Sequence, residues 1–238
     1  MREMPYSVMI FAAGRGERMR PLTDETPKPL ILLAGKPMIV WQIEALARAG
    51  FHRVVINTAW QGQQFPALLG DGAKWGVSIV YSHEGGDPAS ALETRGGIVE
   101  ALPLIGDRAF LTVSGDIYTA FEYDTVRSKL EAIERGDADA HFVLANNPDF
   151  HPEGDFAIRD GLATREGQRL NYANIACWHP KLFRGLPPKT KSRLFPWADE
   201  FVSANRVTAE HFAGEWENIG TPEQLAALDA RLRAKMSV

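Results

Sequence analysis

The chain has 238 residues and a formal net charge of −4, with 45% apolar and 24% charged residues. That is an ordinary globular balance with enough apolar side chains for a full core, and it argues against a general nucleic-acid or membrane-surface binder. The single cysteine, Cys177, excludes an intramolecular disulfide, and no stretch approaches the ~20 apolar residues of a membrane span, so the expectation is a cytoplasmic protein.

Residues 7–13, SVMIFAA, form an unbroken apolar run that suits a strand buried on both faces. Residues 36–50 predict a helix: Pro37 fits its first turn, Gly50 stops it, and Ile39, Ile43, Leu46 and Ala47 share one face. Two more apolar strands follow over 53–59 and 77–82. A short helix over 94–105, a strand over 109–116, a helix over 124–136 and a strand over 140–147 continue the alternation. Residues 148–173 are polar and turn-rich. A strand over 171–180, a helix over 194–205 and one or two short strands over 207–220 come next. Thr221, Pro222 and Gln224 supply an N-cap, a first-turn proline and a capping-box glutamine to a last helix striped by Leu225, Leu228 and Leu232.

Apolar strands alternating with helices over short links predict an α/β, Rossmann-like three-layer fold with a mainly parallel mixed sheet. With no linker or repeat, the expectation is one domain over residues 1–238, carrying a substrate-side lobe at about 148–215. Ligands of such sheets sit beyond the carboxyl ends of the strands. The glycine loop after Ala13 and the aspartate Asp116 both fall at such ends.

Gly14-Arg15-Gly16 follows the first strand, but Met19 stands where a dinucleotide fingerprint needs its third glycine, and the P-loop pattern is absent. What remains is a glycine loop with Arg15, Arg18 and Arg20 behind it, then Lys28 between Pro27 and Pro29. Glycines let backbone N–H groups approach a phosphate, and arginines match its oxygens. The prolines predict a stiff, non-helical rail that presents Lys28 to a phosphoryl group. A plain turn with solvated arginines is the alternative, which the Pro-Lys-Pro fence disfavours.

The run AAGRGERMRPLTDETPKPL resembles the signature of the sugar-1-phosphate nucleotidylyltransferases, G-x-G-x-R-M-x-P-L-T followed by P-K-P-L. Arg18, Met19, Pro21, Leu22, Thr23, Pro27, Lys28, Pro29 and Leu30 stand at its positions. The likeness continues through GKPMIVWQIEALARAG, VVINTAWQGQQ, LETRGGI and SGDIY and returns at WENIGTPEQL. INTAWQGQQ, the GDG at 70–72 and LETRGGI are similar to the branch of the family that transfers uridylyl groups to N-acetylmuramate 1-phosphate in cell-wall sugar recycling.

In this family a sugar phosphate attacks the α-phosphorus of a nucleoside triphosphate and pyrophosphate leaves, a task of alignment and charge stabilisation. The resemblance implies that Ala12, Ala13, Gly14, Gly16, Glu17 and Arg18 cradle the nucleotide, with Arg18 on the leaving phosphates and Lys28 on the α-phosphate. It implies Asp116 as a ligand of Mg2+, Glu84, Glu93, Thr94 and Gly97 on the base and ribose side, and Asp155 and Asn174 on the sugar side. The family's second metal ligand is usually an aspartate, and here its position holds Asn218, either a ligand from which weaker Mg2+ binding is expected or a mere capping residue. Glu217 would point to the opposite strand face. Arg95 either reaches a phosphate or faces water, and the loop over 85–91 is either a lid or inert. The six histidines are scattered and Cys177 reads as a core thiol.

The implied partners are a nucleoside triphosphate and a sugar 1-phosphate, UTP with N-acetylmuramate 1-phosphate first. Glucose 1-phosphate with UTP or dTTP, and mannose 1-phosphate with GTP, stay open within the same chemistry. A catalytically weak nucleotide-sugar-binding regulatory subunit is the reading from another class. Oligomeric state is not legible in the sequence.

Overall fold

The computed structural model describes residues 4–236. The chain runs β1 (Met4–Phe11), β2 (Leu32–Leu33), β3 (Lys36–Pro37), α1 (Met38–Arg48), β4 (Phe51–Thr58), α2 (Gln64–Leu69), β5 (Ser78–His83), α3 (Glu93–Ile105), β6 (Phe110–Ser114), β7 (Ile117–Thr119) and α4 (Arg127–Arg135). It continues with β8 (Ala140–Ala145), β9 (Ala157–Arg159), β10 (Leu162–Thr164), β11 (Asn171–Trp178), α5 (Asp199–Ser203), β12 (Val207–Phe212), β13 (Trp216–Asn218) and α6 (Pro222–Met236).

Nine strands form one sheet in the order β5-β4-β1-β6-β11-β8-β12-β10-β9. β10 and β11 run against the rest, so the sheet is mixed and mainly parallel. Helices cover both faces, which is why the central strands are continuous apolar runs rather than alternating ones. Val8 and Ile10 of β1 pack with Ile39, Ile43 and Leu46 of α1 and Leu130 and Ile133 of α4. On the other face Met9 and Val55 meet Ile98, Ala101 and Ile105 of α3. A separate cluster joins Met19, Leu33 and Met38 to Ile219 and to Leu225, Leu228 and Leu232 of α6. Each of those buried leucines contributes about 1.5–3 kcal/mol by leaving water.

The chain steps outward from β1 to β4 and β5, then returns to lay β6 on the other side of β1. The strand order reverses there, and the connections leaving the carboxyl ends of β1 and β6 part to leave a crevice. Phe11 of β1 is level with Ser114 of β6 and with Asn57 of β4.

Three sequence-based expectations change. The helix expected from residue 36 begins at Met38, because Lys36 and Pro37 pair with Leu33 and Leu32 around Ala34 (φ 49°) and Gly35 (φ 88°). The turn-rich stretch 148–173 contains the hairpin β9–β10, turned by Asp160 (φ 53°) and Gly161 (φ 77°), the Asp-Gly pair of a type I′ turn. The helix expected over 194–205 is confined to Asp199–Ser203, since Pro196 offers no N–H and disfavours helix at Phe195. The cap of α6 is as expected: the Gln224 N–H donates to Thr221 Oγ1 at 3.3 Å, and Gln224 Oε1 accepts from the N–H of Gly220 and Thr221 at 2.7 and 3.1 Å. Among the described residues no helix is long and apolar enough to cross a membrane.

Candidate active site

The crevice between β1 and β6 encloses 540 Å³. Its floor is set by backbone contacts. The Ala12 N–H donates to Asn57 Oδ1 at 2.9 Å, tying the start of the loop to the end of β4. The Gly115 N–H donates to the Phe11 carbonyl at 2.9 Å, and a Cβ on Gly115 would lie 3.0 Å from that oxygen, so only glycine brings Asp116 this close to the loop. Gly16 adopts φ 67°, and a Cβ there would meet Lys28 Cβ at 2.9 Å and Thr23 Cγ2 at 3.1 Å. The lysine stem therefore passes directly against the glycine turn. The Thr23 hydroxyl donates to the Gly16 carbonyl at 2.9 Å, and buried Met19 anchors the turn that follows.

Lys28 sits on one turn of 3-10 helix, Lys28–Leu30, rather than on the non-helical rail the prolines predict. Pro27 is extended ahead of it, and Pro29 falls in the first turn, where a missing N–H costs nothing. The lysine side chain is 9% exposed and its Nζ donates to Asp116 Oδ2 at 2.6 Å. The two residues assigned to the chemistry thus neutralise each other across the crevice.

The three arginines divide. Arg15 and Arg20 both approach Asp24 Oδ1, at 3.5 and 3.2 Å. Arg18 has no ion-pair partner among the described residues, and its guanidinium lies along Gly220, where a Cβ would fall 3.3 Å from Nη2. Arg18 is exposed, lines the crevice and is the loop's uncommitted positive charge.

On the opposite wall both oxygens of Glu84 are engaged, Oε1 by Asn57 Nδ2 and Oε2 by the Leu92 N–H, each at 2.7 Å. Burial pushes this carboxyl above its ordinary value, although both hydrogen bonds oppose the shift. Gly97 lies behind the pair: a Cβ on it would meet Glu84 Oε1 at 2.6 Å. Glu93 (φ 62°) and Thr94 open α3 and line the crevice. A left-handed backbone costs a non-glycine residue about 1–2 kcal/mol, and its surroundings hold Glu93 there.

A strap over residues 188–193 crosses the start of α3. The Ser192 carbonyl accepts from the N–H of Arg95 and Gly96 at 3.0 and 3.1 Å, and the Ser192 N–H donates to the Leu92 carbonyl at 2.8 Å. A Cβ on Gly96 would strike the Thr190 carbonyl at 2.4 Å. The strap carries Lys191 to the crevice, again with no ion-pair partner among the described residues. Arg95 stacks over Trp197 at 5.3 Å. In the loop over 85–91, the Asp87 carboxylate accepts from the N–H of Ala89 and Ser90 at 2.8 and 2.9 Å.

The crevice lining brings together Ala12, Ala13, Gly14, Gly16, Glu17, Arg18, Lys28, Glu84, Glu93, Thr94 and Asp116. Four residues named from the sequence stand outside it: Gly97, Asp155, Asn174 and Asn218. Asp155 braces the start of β11, with Oδ2 accepting from the Tyr172 N–H at 2.8 Å and Oδ1 facing His151 Nε2 at 3.2 Å. Asn174 (φ 58°) occupies the register shift of β11 between Tyr172 and Ile175. Asn218 pairs with Ile117 across β13 and β7, and the next N–H, of Ile219, donates to the Asp116 carbonyl at 3.4 Å. Glu217 is ion-paired with Arg231 of α6, so it does not replace a metal ligand.

No cluster of three or more His, Cys, Asp or Glu among the described residues could hold a metal. The Asp116 carboxylate, which lines the crevice, is the kind of oxygen donor that a hard divalent ion takes together with phosphates and water, whereas Asn218 stands outside the lining.

Sequence reasoning missed Asn57, Lys191 and Gly220. Asn57 had a readable signal, a polar residue ending an apolar strand at the ligand side of the sheet. Lys191 had none.

Residues 7–151 match the family described as nucleotidyl transferase. The chain belongs to the nucleotidyl transferase family. It is 42% identical over 217 residues to the N-acetylmuramate alpha-1-phosphate uridylyltransferase of Neisseria meningitidis serogroup B, covering 90% of this chain and 92% of that one. It is 31% identical over 243 residues to the protein of the same name in Caulobacter vibrioides, covering 98% and 99%. In fold it resembles a putative glucose-1-phosphate thymidylyltransferase from Bacillus anthracis, with a TM-score of 0.79 and 20% identity over 95% of each chain. The stretch matched to the nucleotidyl transferase family contains the glycine loop, Lys28 and Asp116, whereas Lys191 and Asn218 lie beyond it.

Proposed function

We propose that the protein transfers the uridylyl group of UTP to N-acetylmuramate 1-phosphate, releasing pyrophosphate and forming UDP-N-acetylmuramate, in the cytoplasm and for cell-wall sugar recycling. The observation that carries the reading is the Lys28–Asp116 pair at 2.6 Å beneath a glycine loop at the switch point of the sheet. The two near-full-length relatives, by their names, suggest the substrates.

The loop from Ala12 to Arg18 takes the triphosphate, with Arg18 on the β- and γ-phosphates. Lys28 leaves Asp116 for the α-phosphate. An acceptor phosphate oxygen attacks the α-phosphorus, the bond to the bridging oxygen breaks, and pyrophosphate leaves with that electron pair. A phosphate monoester has a second pKa of about 6, so the nucleophile is already ionised at neutral pH and needs no general base. Lys191 meets the acceptor's phosphate and offsets the repulsion between two anions. Glu93 and Thr94 face the base and ribose. Asp155 and Asn174 belong to the acceptor lobe. Asp116 and Asn218 would hold Mg2+, which when bound would supply charge neutralisation on the phosphates.

The test is pyrophosphate release with Mg2+, crossing UTP, dTTP, GTP, CTP and ATP against the 1-phosphates of N-acetylmuramate, N-acetylglucosamine, glucose and mannose. UTP with N-acetylmuramate 1-phosphate is expected to give the highest kcat/KM. A different best pair overturns the substrate assignment. Nucleotide binding without release across the panel overturns the transfer itself and favours a binding role, which Asn218→Asp then probes.

A further inference from the structure

The turn after β4, within INTAWQGQQ, plays no part in the transfer chemistry, yet it touches the loop that does. The guanidinium carbon of Arg15 lies 4.3 Å from the centroid of the Trp60 ring. Arg15 Nη1 and Trp60 Nε1 donate to one acceptor, the Thr23 carbonyl, the latter at 3.4 Å. Arg15 Nη2 also faces Asp24 at 3.5 Å, and Gln64 Nε2 donates to the Glu25 carbonyl at 2.7 Å. Thr23 and Glu25 are thus held by Trp60 of the β4–α2 turn and by Gln64 at the start of α2, and Asp24 between them is held by Arg15. Gln61, in that turn, adopts φ 52° and accepts a hydrogen bond from Gln64 at 2.8 Å, so the turn is itself fixed. Thr23 passes the restraint on, since its hydroxyl holds the Gly16 carbonyl and its methyl packs where a Cβ on Gly16 would stand.

Arg15 is therefore already committed. Its side chain is 12% exposed, its flat face covers an indole, and its donors point at a carbonyl and a carboxylate. Trp60 does not line the crevice. We infer that Trp60, acting through Arg15 and Thr23, is a positioning residue for the donor nucleotide, a strut that fixes the outer arm of the phosphate loop before the triphosphate arrives. Preorganisation of this kind improves binding of the ligand the loop cradles and leaves the other substrate's affinity alone. The inference rests on the loop being the donor site, as proposed above.

The test compares Trp60→Leu, Trp60→Phe, Arg15→Gln and the Trp60→Leu/Arg15→Gln double variant in the full chain. The probe is α,β-methylene UTP, its binding followed by calorimetry. Kinetics give both KM values, and trypsin cleavage after Arg15 and Arg18 reports how firmly the loop is held. Trp60→Leu is expected to weaken probe binding and raise the donor KM at least tenfold. The acceptor KM should stay within twofold, and cleavage in the loop should accelerate. Trp60→Phe keeps a ring face for the guanidinium and should recover to within threefold of the parent. Adding Trp60→Leu to Arg15→Gln should cost less than twofold more, because the two act as one unit. The inference is overturned if donor and acceptor KM rise together, if Phe rescues nothing, or if loop cleavage is unchanged in Trp60→Leu. Failure of the parent protein to bind the probe sinks the donor-site reading instead, while the cleavage rates still decide whether Trp60 holds the loop.

Discussion

The two flanks of the crevice are built on different plans. On the loop flank most cations already have a partner, Lys28 holding Asp116 while Arg15 and Arg20 share Asp24, and Arg18 is the exception. On the strap flank Lys191 has none among the described residues, and the strap is held by main-chain bonds between Ser192 and the start of α3. The loop flank has its ordering cost met during folding, so under the proposed function a triphosphate would exchange into pairs that exist. The strap flank keeps a free cation on a main-chain tether, which suits a second anion arriving next to the first.

Substitutions can separate the flanks. Lys28→Met keeps the apolar stem and removes the charge. Turnover at saturating substrates, measured as pyrophosphate release, should fall at least about 100-fold, the scale of a lost transition-state donor. Near-parent turnover would show that the loop flank does not carry the chemical step. Lys191→Met should raise the acceptor KM about tenfold, as expected for one hydrogen bond to a charged group, with the donor KM unchanged. A rise in donor KM instead would move Lys191 to the other substrate and erase the contrast. Gly96→Ala forces a Cβ toward the Thr190 carbonyl, where only 2.4 Å is available. Overpacking of this sort costs about 1–3 kcal/mol, so the Tm should drop and the acceptor KM should rise by a few fold, both less than complete loss of the strap would give.

The smallest effect lies away from both flanks. His141 on β8 is fully buried, its Nδ1 is 2.8 Å from Thr208 Oγ1, and Glu210 stands 3.7 Å from Nε2, too far for a hydrogen bond. Burial holds this imidazole below its ordinary value, the Glu210 carboxylate pulls it back up, and Lys129 pushes it down again. The folded state then binds the proton less readily than the unfolded chain, so stability is intact above an unfolded pKa of about 6.5 and is lost as pH falls below it. The Tm of the parent should decline between pH 7 and pH 5.5 more steeply than that of His141→Gln, with no change in the ratio of donor to acceptor KM. Equal slopes would remove His141 from the account.

The loop flank was the legible one because its geometry is written in residue types. Glycines at 14 and 16 and prolines at 27 and 29 punctuate a local stretch, and β1 and β6 are largely apolar because both their faces are covered. Even there the 3-10 turn at Lys28 escaped, since a proline in the first turn and one on an extended rail look alike in sequence. The strap was illegible because main-chain bonds hold it to α3, about 100 positions earlier, and such bonds leave no trace in side-chain identity. The β9–β10 hairpin had its signal in Asp160-Gly161, but strands this short carry too little apolar pattern to frame it. The carboxylates at Glu84 and Asp155 show another limit. Sequence marks an acid in a loop, and only the fold reveals that a backbone N–H already occupies one of its oxygens.

The seat of Met19 has a consequence for how the protein is made. Met19 is buried against Ile219, Leu225, Leu228 and Leu232, about 200 positions later in the chain. During synthesis the glycine loop leaves the ribosome directly after β1, while its anchor emerges about 200 residues later. A growing chain therefore carries a phosphate loop that is written but not yet seated, and the first part of the site to be translated is the last to be locked.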